Sequence, residues 1–273
     1  MNVTAPAMMI NTKTEIKYPP DQVFPLRLLK FIYSLYAFIT FVAVMLLVFP
    51  FALLAGLFGR LRGGNMMIRL CMLWADAWFF LIGIWHRNLY EAPHNKKQSY
   101  IFVSNHISYL DAAIIVKAFR QPIRPLGKVE MARVPVFGYI YRNAIVTVDR
   151  SSAHNRAKSV RVLKSLIGKG ISVMVFPEGT FNMGTTPLKD FYDGAFRVAI
   201  ETQTPVKPVL FLDAYRRMPY ESLFLMSPGI NRVVYLQEIP VEGYTLADVA
   251  RLRNEVYTIM EKKLLEYGAA WRQ

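Results

Sequence analysis

Residues 99–119 read SYIFVSNHISYLDAAIIVKAF, and this stretch decides the fold. Residues 99–104 form an apolar run without a period of two, which predicts a strand buried on both faces of a sheet. A short polar turn follows, and the Ala- and Ile-rich run over 111–119 predicts a helix. A strand that leads into a helix in this way is typical of an α/β domain with a parallel sheet.

The same succession repeats further along the chain. Residues 157–167 predict an amphipathic helix closed by Gly168 and Gly170, and residues 171–176 (ISVMVF) predict another buried strand. Further strands are predicted at 145–148, 206–212 and 232–236, and further helices at 194–201 and 246–267. The expected fold class is therefore α/β, with a mixed, largely parallel sheet flanked by helices, in a domain that spans residues 86–273.

A segment of different character precedes this domain. From Phe31 to Phe58 no residue is charged, and the run exceeds the roughly 20 residues that cross a bilayer core. A second apolar stretch, residues 70–85, carries tryptophans suited to a membrane interface. Basic residues flank the first segment on both sides, whereas a single span requires an asymmetry of Lys and Arg. We therefore expect membrane anchor helices over 31–85, arranged as a hairpin embedded in one leaflet, with a true span as the alternative. Residues 1–30 are expected to form an irregular arm.

The charge balance restricts the partners. The chain has 273 residues, of which 53% are hydrophobic, and its net charge is +14. An apolar, basic chain favours an anionic membrane surface. Basic residues are spread along the sequence without a nucleic-acid-binding stripe, so no nucleic-acid partner is expected. Cys71 is the one cysteine, and the histidines outside the 99–119 stretch are isolated, so neither a disulfide nor a metal site is expected.

A candidate catalytic pair follows the strand at 99–104. Asn105 and His106 come directly after it, and Asp111 lies at the start of the next helix. Catalytic groups of α/β folds gather outside the carboxyl ends of strands. Histidine is a base near neutral pH, and a carboxylate one turn away can orient its ring and stabilise the imidazolium. Taken alone, the spacing favours a plainer interpretation, a histidine that caps the helix beside a solvated aspartate.

A second candidate motif follows the strand at 171–176. Residues 176–180 read FPEGT, in which Pro177 ends the strand and Gly179 allows the backbone to approach a ligand closely. By itself this motif is a plain turn with a surface glutamate, Glu178. Because both motifs end strands of the same predicted sheet, in the right order, they indicate one shared site.

At this point the sequence resembles the glycerolipid acyltransferases. NHISYLD at 105–111 and FPEGT at 176–180 look like the first and third signature blocks of that family. GKVEMARVPVFG at 127–138 matches the second block, VDR at 148–150 matches the turn before the next helix, and PVKPV at 205–209 looks like the fourth block. The resemblance covers roughly residues 85–240.

The resemblance implies a membrane-bound O-acyltransferase. Such an enzyme moves a fatty acyl group from an acyl-CoA or acyl-ACP (acyl carrier protein) thioester to the free hydroxyl of a lysolipid, which is lysophosphatidic acid, a lysophospholipid or a lyso-aminolipid. His106 is the implied general base, oriented by Asp111. No cofactor is implied, since the thioester is a substrate. The implied location is the inner or cytoplasmic membrane, with the catalytic domain on the cytoplasmic side, and the oligomeric state stays open.

The resemblance also implies residues that bind the substrates. Lys128 and Arg150 contact an acceptor phosphate, and Glu178 positions the acceptor. The Gly179 amide and neighbouring backbone amides are implied to help hold the oxyanion or the acceptor, and such donors are commonly worth about 3–4 kcal/mol of barrier. The full set of implied substrate-binding residues is Asn105, Lys128, Arg150, Glu178, Gly179 and Thr180.

Two positions depart from the family pattern. Phe181 stands after FPEGT where the family often has a basic residue, and Tyr192 stands where it tends to have lysine. Both missing cations are associated with phosphate, and a phosphate site uses several charge-assisted bonds. The sequence therefore predicts an acceptor pocket that is less cationic and more tolerant of bulky or neutral headgroups.

Two other functions compete with acyl transfer. A hydrolase on this kind of sheet requires a G-x-S-x-G nucleophile elbow, and the sequence has none. A non-catalytic membrane-surface adaptor would suit the basic charge and the apolar anchor. It would have no need for a base with its orienting carboxylate, so the pair of His106 and Asp111 argues against it.

Overall fold

The computed structural model describes residues 24–148 and 153–271. The helices of this part are α1 (Phe24–Gly56), α2 (Gly64–Leu81), α3 (Asp111–Ala118), α4 (Phe137–Ala144), α5 (Ala153–Ile167), α6 (Gly194–Glu201), α7 (Ala214–Arg217) and α8 (Val249–Glu266). A π-helical turn spans Gly59–Gly63, and 3₁₀ turns span Val129–Arg133 and Leu246–Asp248. The strands are β1 (Ile84–Tyr90), β2 (Ile101–Ser104), β3 (Ile123–Lys128), β4 (Val146–Val148), β5 (Ser172–Val175), β6 (Val206–Phe211) and β7 (Gly229–Tyr235).

These strands form one sheet in the order β1-β7-β6-β2-β5-β3-β4. The strands β6, β2, β5, β3 and β4 are parallel to one another. β7 is antiparallel to β6, and β1 is parallel to β7. The predicted mixed, largely parallel sheet is therefore confirmed. The carboxyl ends of the parallel strands lie together along one edge of the sheet, which we call the carboxyl edge.

Helices cover both faces of the sheet because its central strands are apolar on both sides. Phe102 of β2 packs into a core shared with α1, α2 and α3. Its neighbours Ile101 and Val103 point the other way, into a core shared with α5, α6 and α8. This division follows from the alternation of side chains along a strand. The hairpin of α1 and α2 is consequently one layer of the folded domain.

Helices α1 and α2 form the predicted hairpin. The indole N–H of Trp78 donates to the carbonyl of Ala37 at 2.9 Å, and that of Trp74 donates to the carbonyl of Phe41 at 3.4 Å. The later tryptophan of α2 contacts the earlier residue of α1, so the two helices run antiparallel. The expectation that the tryptophans of this stretch face a membrane interface is wrong for Trp78, which is buried against α1. Trp85, on the edge strand β1, is exposed.

The boundaries of the N-terminal segment differ from the prediction. Helix α1 begins at Phe24, so the predicted irregular arm does not extend to residue 30; residues 1–23 lie outside the described part. Proline is tolerated in the first turn of a helix, where Pro25 lies, because its missing N–H has no helical partner there. Pro50 lies inside α1, and the helix continues through it.

Two strands, β1 and β3, and two short helices, α4 and α7, were not expected from the sequence. β1 lies at the edge of the sheet and is half-buried, so it lacks a continuous apolar run. β3 reads IRPLGK and contains arginine, proline and glycine, which disfavour a strand. The short helix α4 packs on the hairpin through Tyr139, which lies edge-on to Phe49 at 6.0 Å between ring centroids. Tertiary packing overrides local propensity in β1, β3 and α4.

The turn of the hairpin is held by a buried arginine. Arg124 of β3 donates to the side-chain oxygen of Asn65 at 2.8 Å and to the carbonyls of Ile123 and Leu61 at 2.9 and 3.4 Å. Burial lowers the pKa of this guanidinium to about 10. A buried cation is tolerated only where polar groups surround it, so this contact joins the anchor to the sheet.

We expect Arg124→Ala to loosen the hairpin. The substitution leaves a cavity and buried oxygens without donors, each costing about 1–3 kcal/mol. In detergent micelles the variant should melt at a lower temperature, and trypsin should cut faster after Arg60 and Arg62 in the turn. Arg161→Ala, at an exposed position on α5, is the matched control. Equal melting temperatures and cleavage rates for the two variants would show that Arg124 does not hold the turn.

Candidate active site

The site forms where β2 and β5 end at the carboxyl edge. These strands are neighbours, with Val103 opposite Val175, so the residues that follow each strand meet. The ring of His106 stacks on that of Phe176, with 3.9 Å between centroids and 7° between planes. The two sequence motifs, although distant in the chain, are therefore in direct contact, as expected for one shared site.

His106 is oriented by a buried carboxylate. Its Nδ1 lies 2.8 Å from Oδ2 of Asp111; the Asp111 side chain is fully buried, and that of His106 is 22% exposed. The same oxygen accepts the backbone N–H groups of Ile107 at 2.8 Å and Ser108 at 2.9 Å. Asp111 is also the first residue of α3, where the helix dipole favours an anion. With Nδ1 engaged in this way, Nε2 is the nitrogen that can meet a substrate.

Glu178 is buried beside the catalytic loop and binds the backbone of His106. Its side chain is 1% exposed. One carboxylate oxygen accepts the backbone N–H of His106 at 2.8 Å, and the other accepts the backbone N–H of Lys189 at 2.9 Å. Burial raises the pKa of Glu178 to about 7, against the lowering effect of these two hydrogen bonds. The carboxylate joins the loop after β2 to the loop before α6, and both of its oxygens are engaged by the backbone.

Asn105 is likewise engaged by the backbone. Its side-chain amide donates to the carbonyl of Phe211 at 3.0 Å, and its side-chain oxygen accepts the N–H of Phe211 at 2.8 Å. This pair closes the gap between the ends of β2 and β6. Asn105 is buried, so its geometry is that of a support for the loop that carries His106.

The FPEGT turn has a tight backbone. Gly179 has a φ of 74°, in the left-handed region that favours glycine. Its N–H donates to the carbonyl of Phe176 at 3.0 Å, so this amide already has a partner within the turn. Thr180 is exposed, and its hydroxyl accepts a hydrogen bond of 2.6 Å from the ammonium group of Lys189. Lys189 thus brings a cation to this turn, which the sequence patterns did not indicate.

The remaining predicted binding residues lie further along the carboxyl edge. Lys128 ends β3, which is separated from β2 by β5, and its side chain is exposed. It is the register partner of Val148 in β4. Arg150 lies outside the described residues. The structure therefore brings His106, Asp111 and Glu178 together and leaves Lys128 at the same edge, two strands away.

Aromatic rings enclose the histidine, and sequence reasoning did not place them there. Phe181 contacts the ring of His106 edge-on, with 4.4 Å between ring centroids. This position, where the family often has a basic residue, therefore carries an aromatic contact to the histidine. Tyr109 in turn lies edge-on to Phe181 at 4.8 Å. In the sequence, the only indication of these aromatic contacts was Phe181, which stands where the family often has a basic residue. Within residues 24–148 and 153–271, no group of His, Cys, Asp or Glu side chains is arranged to hold a metal ion.

The raised pKa of Glu178 predicts a pH dependence of stability. The folded chain keeps a proton on Glu178 up to about pH 7, whereas the unfolded chain releases it near the ordinary value of 4.5. Folding therefore weakens as pH rises through this window. The variant Glu178→Gln has no titrating group at this position, so it serves as the pH-independent reference. Its amide NH₂ group would face one of the two backbone N–H groups that Glu178 accepts, which lowers its stability at every pH alike. The melting temperature of the wild type, minus that of Glu178→Gln, should fall between about pH 5 and about pH 8. An increase over this range would contradict the assignment.

Comparison with known proteins finds a matching family model and several relatives. A family model described as Acyltransferase matches residues 86–212. The human 1-acyl-sn-glycerol-3-phosphate acyltransferase alpha is 28% identical over 194 residues, which cover 70% of this chain and 67% of that protein. The 1-acyl-sn-glycerol-3-phosphate acyltransferase of Haemophilus influenzae is 28% identical over 184 residues, which cover 65% of this chain and 74% of that protein.

A solved structure shares the fold. The crystal structure of the 1-acyl-sn-glycerophosphate (LPA) acyltransferase from Thermotoga maritima superposes with a TM-score of 0.71 at 20% sequence identity, covering 90% of this chain and 99% of that one. The matched family region contains both motifs and the strands that carry them. The family model and the named relatives support the glycerolipid acyltransferase family and an acyltransferase enzyme, and the solved structure shows the shared fold.

Proposed function

We propose that this enzyme transfers a fatty acyl group from an acyl-CoA or acyl-ACP thioester to the free hydroxyl of a lysolipid at a membrane surface. The observation that carries the proposal is the pair of His106 and Asp111 at the carboxyl edge. The buried carboxylate fixes one ring nitrogen at 2.8 Å, and the imidazole itself reaches solvent. This is the arrangement of an oriented general base.

In the proposed reaction, Nε2 of His106 removes the proton from the acceptor hydroxyl as its oxygen attacks the thioester carbonyl carbon. The C–O bond forms and the carbonyl electrons move to its oxygen, giving a tetrahedral oxyanion. Collapse of this intermediate breaks the C–S bond, and the proton on Nε2 passes to the departing thiolate. Asp111 stabilises the imidazolium that exists between these steps. Ester and thiol are the products, and His106 is regenerated.

The support residues keep the base in position. Glu178 and Asp111 together hold the backbone of residues 106–108 through their hydrogen bonds to N–H groups. A displacement of about 1 Å in a reacting group can lower the rate about 100-fold. We propose that Glu178 and Asn105 act through this loop. Because both of these residues are buried, we propose that exposed residues of the site, such as Thr180, contact the acceptor.

For the acceptor, we propose lysophosphatidic acid as the reference substrate. The human and Haemophilus relatives are named for 1-acylglycerol-3-phosphate. The ammonium group of Lys189 donates a hydrogen bond to the hydroxyl of Thr180. We propose that this cation takes the place of the basic residue that the family often has at the position of Phe181. Tyr192 is exposed, so a bulky headgroup meets an aromatic side chain there. The prediction of a more tolerant pocket stays open to direct test.

We also propose that α1 lies in one leaflet of the membrane. Only 11% of its most apolar window is buried, and it is long and apolar enough to cross a bilayer. Yet the catalytic domain contacts α1 at two distant points: the hydroxyl of Ser34 accepts the N–H of Met226 at 3.0 Å, and the hydroxyl of Tyr139 donates to the carbonyl of Leu53 at 3.4 Å. About 28 Å of helix separates these contacts. A crossing helix would put them on opposite sides of the bilayer, so the contacts support an embedded hairpin. We propose the cytoplasmic face as its side.

Acyl transfer is tested with vesicle-bound protein, labelled acyl-CoA or acyl-ACP, and a panel of lysolipids. We expect wild-type product and, because the general base is lost, at least a 100-fold lower rate for His106→Ala, the scale of about 10²–10⁴ for such groups. Asp190→Asn, at an exposed position on the nearby loop, is the matched control and should stay active.

Each outcome of the panel has a meaning. No product from folded wild type with any donor would overturn the proposed reaction in favour of lipid binding alone. Activity on lysophosphatidic acid equal to or above that on every substituted lysophospholipid and lyso-aminolipid would remove the prediction of a tolerant pocket.

The position of the hairpin is tested by thiol labelling. In a Cys71→Ser background, Arg60→Cys marks the hairpin turn and Lys262→Cys marks α8 on the opposite side of the sheet; both positions are exposed. The protein is added to preformed sealed vesicles with an impermeant maleimide outside. We expect both cysteines to be labelled, because a hairpin in one leaflet keeps its turn on the same side. Labelling of Arg60→Cys only after the vesicles are opened would indicate a spanning hairpin.

A further inference from the structure

The loop that joins α7 to β7, residues 218–228, presents apolar side chains to solvent. Leu223 is 48% exposed and Phe224 is 50% exposed, whereas Met226 of the same loop is buried. The loop is compact, since the N–H of Leu225 donates to the carbonyl of Ser222 at 3.4 Å and the N–H of Ser227 donates to that of Arg217 at 2.9 Å. Exposed aromatic and aliphatic side chains on a compact loop require a partner that covers them.

One side of this loop is docked on helix α1. The ring of Phe224 lies 5.3 Å from that of Phe31, and the N–H of Met226 donates to the hydroxyl of Ser34 at 3.0 Å. Phe31 is itself exposed, as are Ile32 and other large apolar residues along α1. The apolar tip of the loop is therefore continuous with the apolar face of the anchor helix.

The other side of the loop reaches the active site. The hydroxyl of Ser108, two residues after the catalytic histidine, donates to the carbonyl of Met218 at 2.6 Å. The ring of Tyr220 stacks over Phe181 at 6.5 Å, and Phe181 lies 4.4 Å from the ring of His106. A row of aromatic rings thus runs from His106 to the same loop that carries Phe224.

We propose that loop 218–228 is a second membrane-inserting element, and that the lysolipid acceptor moves from the bilayer to His106 along this aromatic row. The inference rests on the proposed membrane-bound acyl transfer. The loop would hold the carboxyl edge against the lipid surface, so that the acceptor hydroxyl reaches Nε2 while its acyl chain stays among lipid and aromatic side chains. The aromatic row consists of Tyr109, Phe181 and Tyr220. The inserting tip of the loop consists of Leu223 and Phe224, which lie outside the row.

The surroundings favour a lipid bilayer as the occupant. The tip carries a phenylalanine and a leucine next to a helix of the same character, and the ring of Phe224 contacts that of Phe31 on this helix. Arg216, just before the loop, is exposed and can meet an anionic headgroup. Apolar side chains with basic neighbours are typical of segments that lie in a membrane interface.

Insertion is tested by lipid-dependent quenching, which requires no catalysis. In the Cys71→Ser background, a fluorophore is attached to Phe224→Cys or to the control Leu265→Cys, an exposed leucine on α8. Vesicles containing nitroxide-labelled lipid should quench the probe at 224 strongly and the probe at 265 weakly. Equal quenching at the two positions would overturn insertion of the loop, even if the protein showed no acyl transfer.

The acceptor route is tested by kinetics of the double variant Leu223→Ser/Phe224→Ser. Leu223 and Phe224 expose about half of their surface. Because that exposed apolar surface meets lipid in the proposal, the apparent KM for a long-chain lysolipid in vesicles should rise about tenfold. The kcat/KM for a soluble short-chain lysolipid should stay within about twofold of wild type. The control Leu265→Ser should change neither value. An equal loss on both acceptors would show that the loop only shapes the active site, and an unchanged KM in vesicles would remove it from the acceptor route.

Discussion

Two buried carboxylates hold the loop after β2, and the proposed chemistry depends on them. Asp111 gives a single oxygen to His106 and to the N–H groups of residues 107 and 108, while Glu178 gives its oxygens to the N–H groups of His106 and Lys189. Burying a carboxylate is unfavourable unless hydrogen bonds replace its water. These backbone donors offset part of that cost through the same contacts that fix the imidazole, and the raised pKa of Glu178 shows that burial still outweighs them there.

The anchor and the catalytic domain form one structural unit. Helix α2 packs under α3 and α4, and Arg124 reaches from β3 into the turn of the hairpin. At the other end, Met226 contacts Ser34. Because the sheet domain contacts α1 near both ends, the proposed depth of the hairpin in a membrane would also set the height of the carboxyl edge above the lipid. An enzyme whose acceptor lies in a bilayer benefits from such a fixed distance, since no domain movement is needed to bring base and hydroxyl together.

Much of the site could be predicted because its main groups directly follow apolar strands. The runs at 99–104 and 171–176 indicated buried strands, and the parallel arrangement then required that His106 and Glu178 meet. The role of Glu178 was harder to predict, since a carboxylate after a strand can face a ligand or the backbone. Its contact with Lys189 joins loops that local sequence does not relate. β3 was missed for a similar reason: its Arg124 is stabilised by oxygens of the distant hairpin turn.

The sequence by itself determined the α/β class and the two apolar N-terminal segments, because both follow from local hydrophobic patterns. It indicated the pair of His106 and Asp111 only through two motifs that end strands in the right order and through the resemblance to the acyltransferases. Tertiary structure alone decided which side chains surround that pair. The stacking of Phe176 on His106, the edge-on contact of Phe181 with the same ring, the engagement of Asn105 with Phe211, and the docking of Phe224 on Phe31 join residues far apart in the chain. Contacts of this kind arise when strands and helices pack, and no local pattern encodes them.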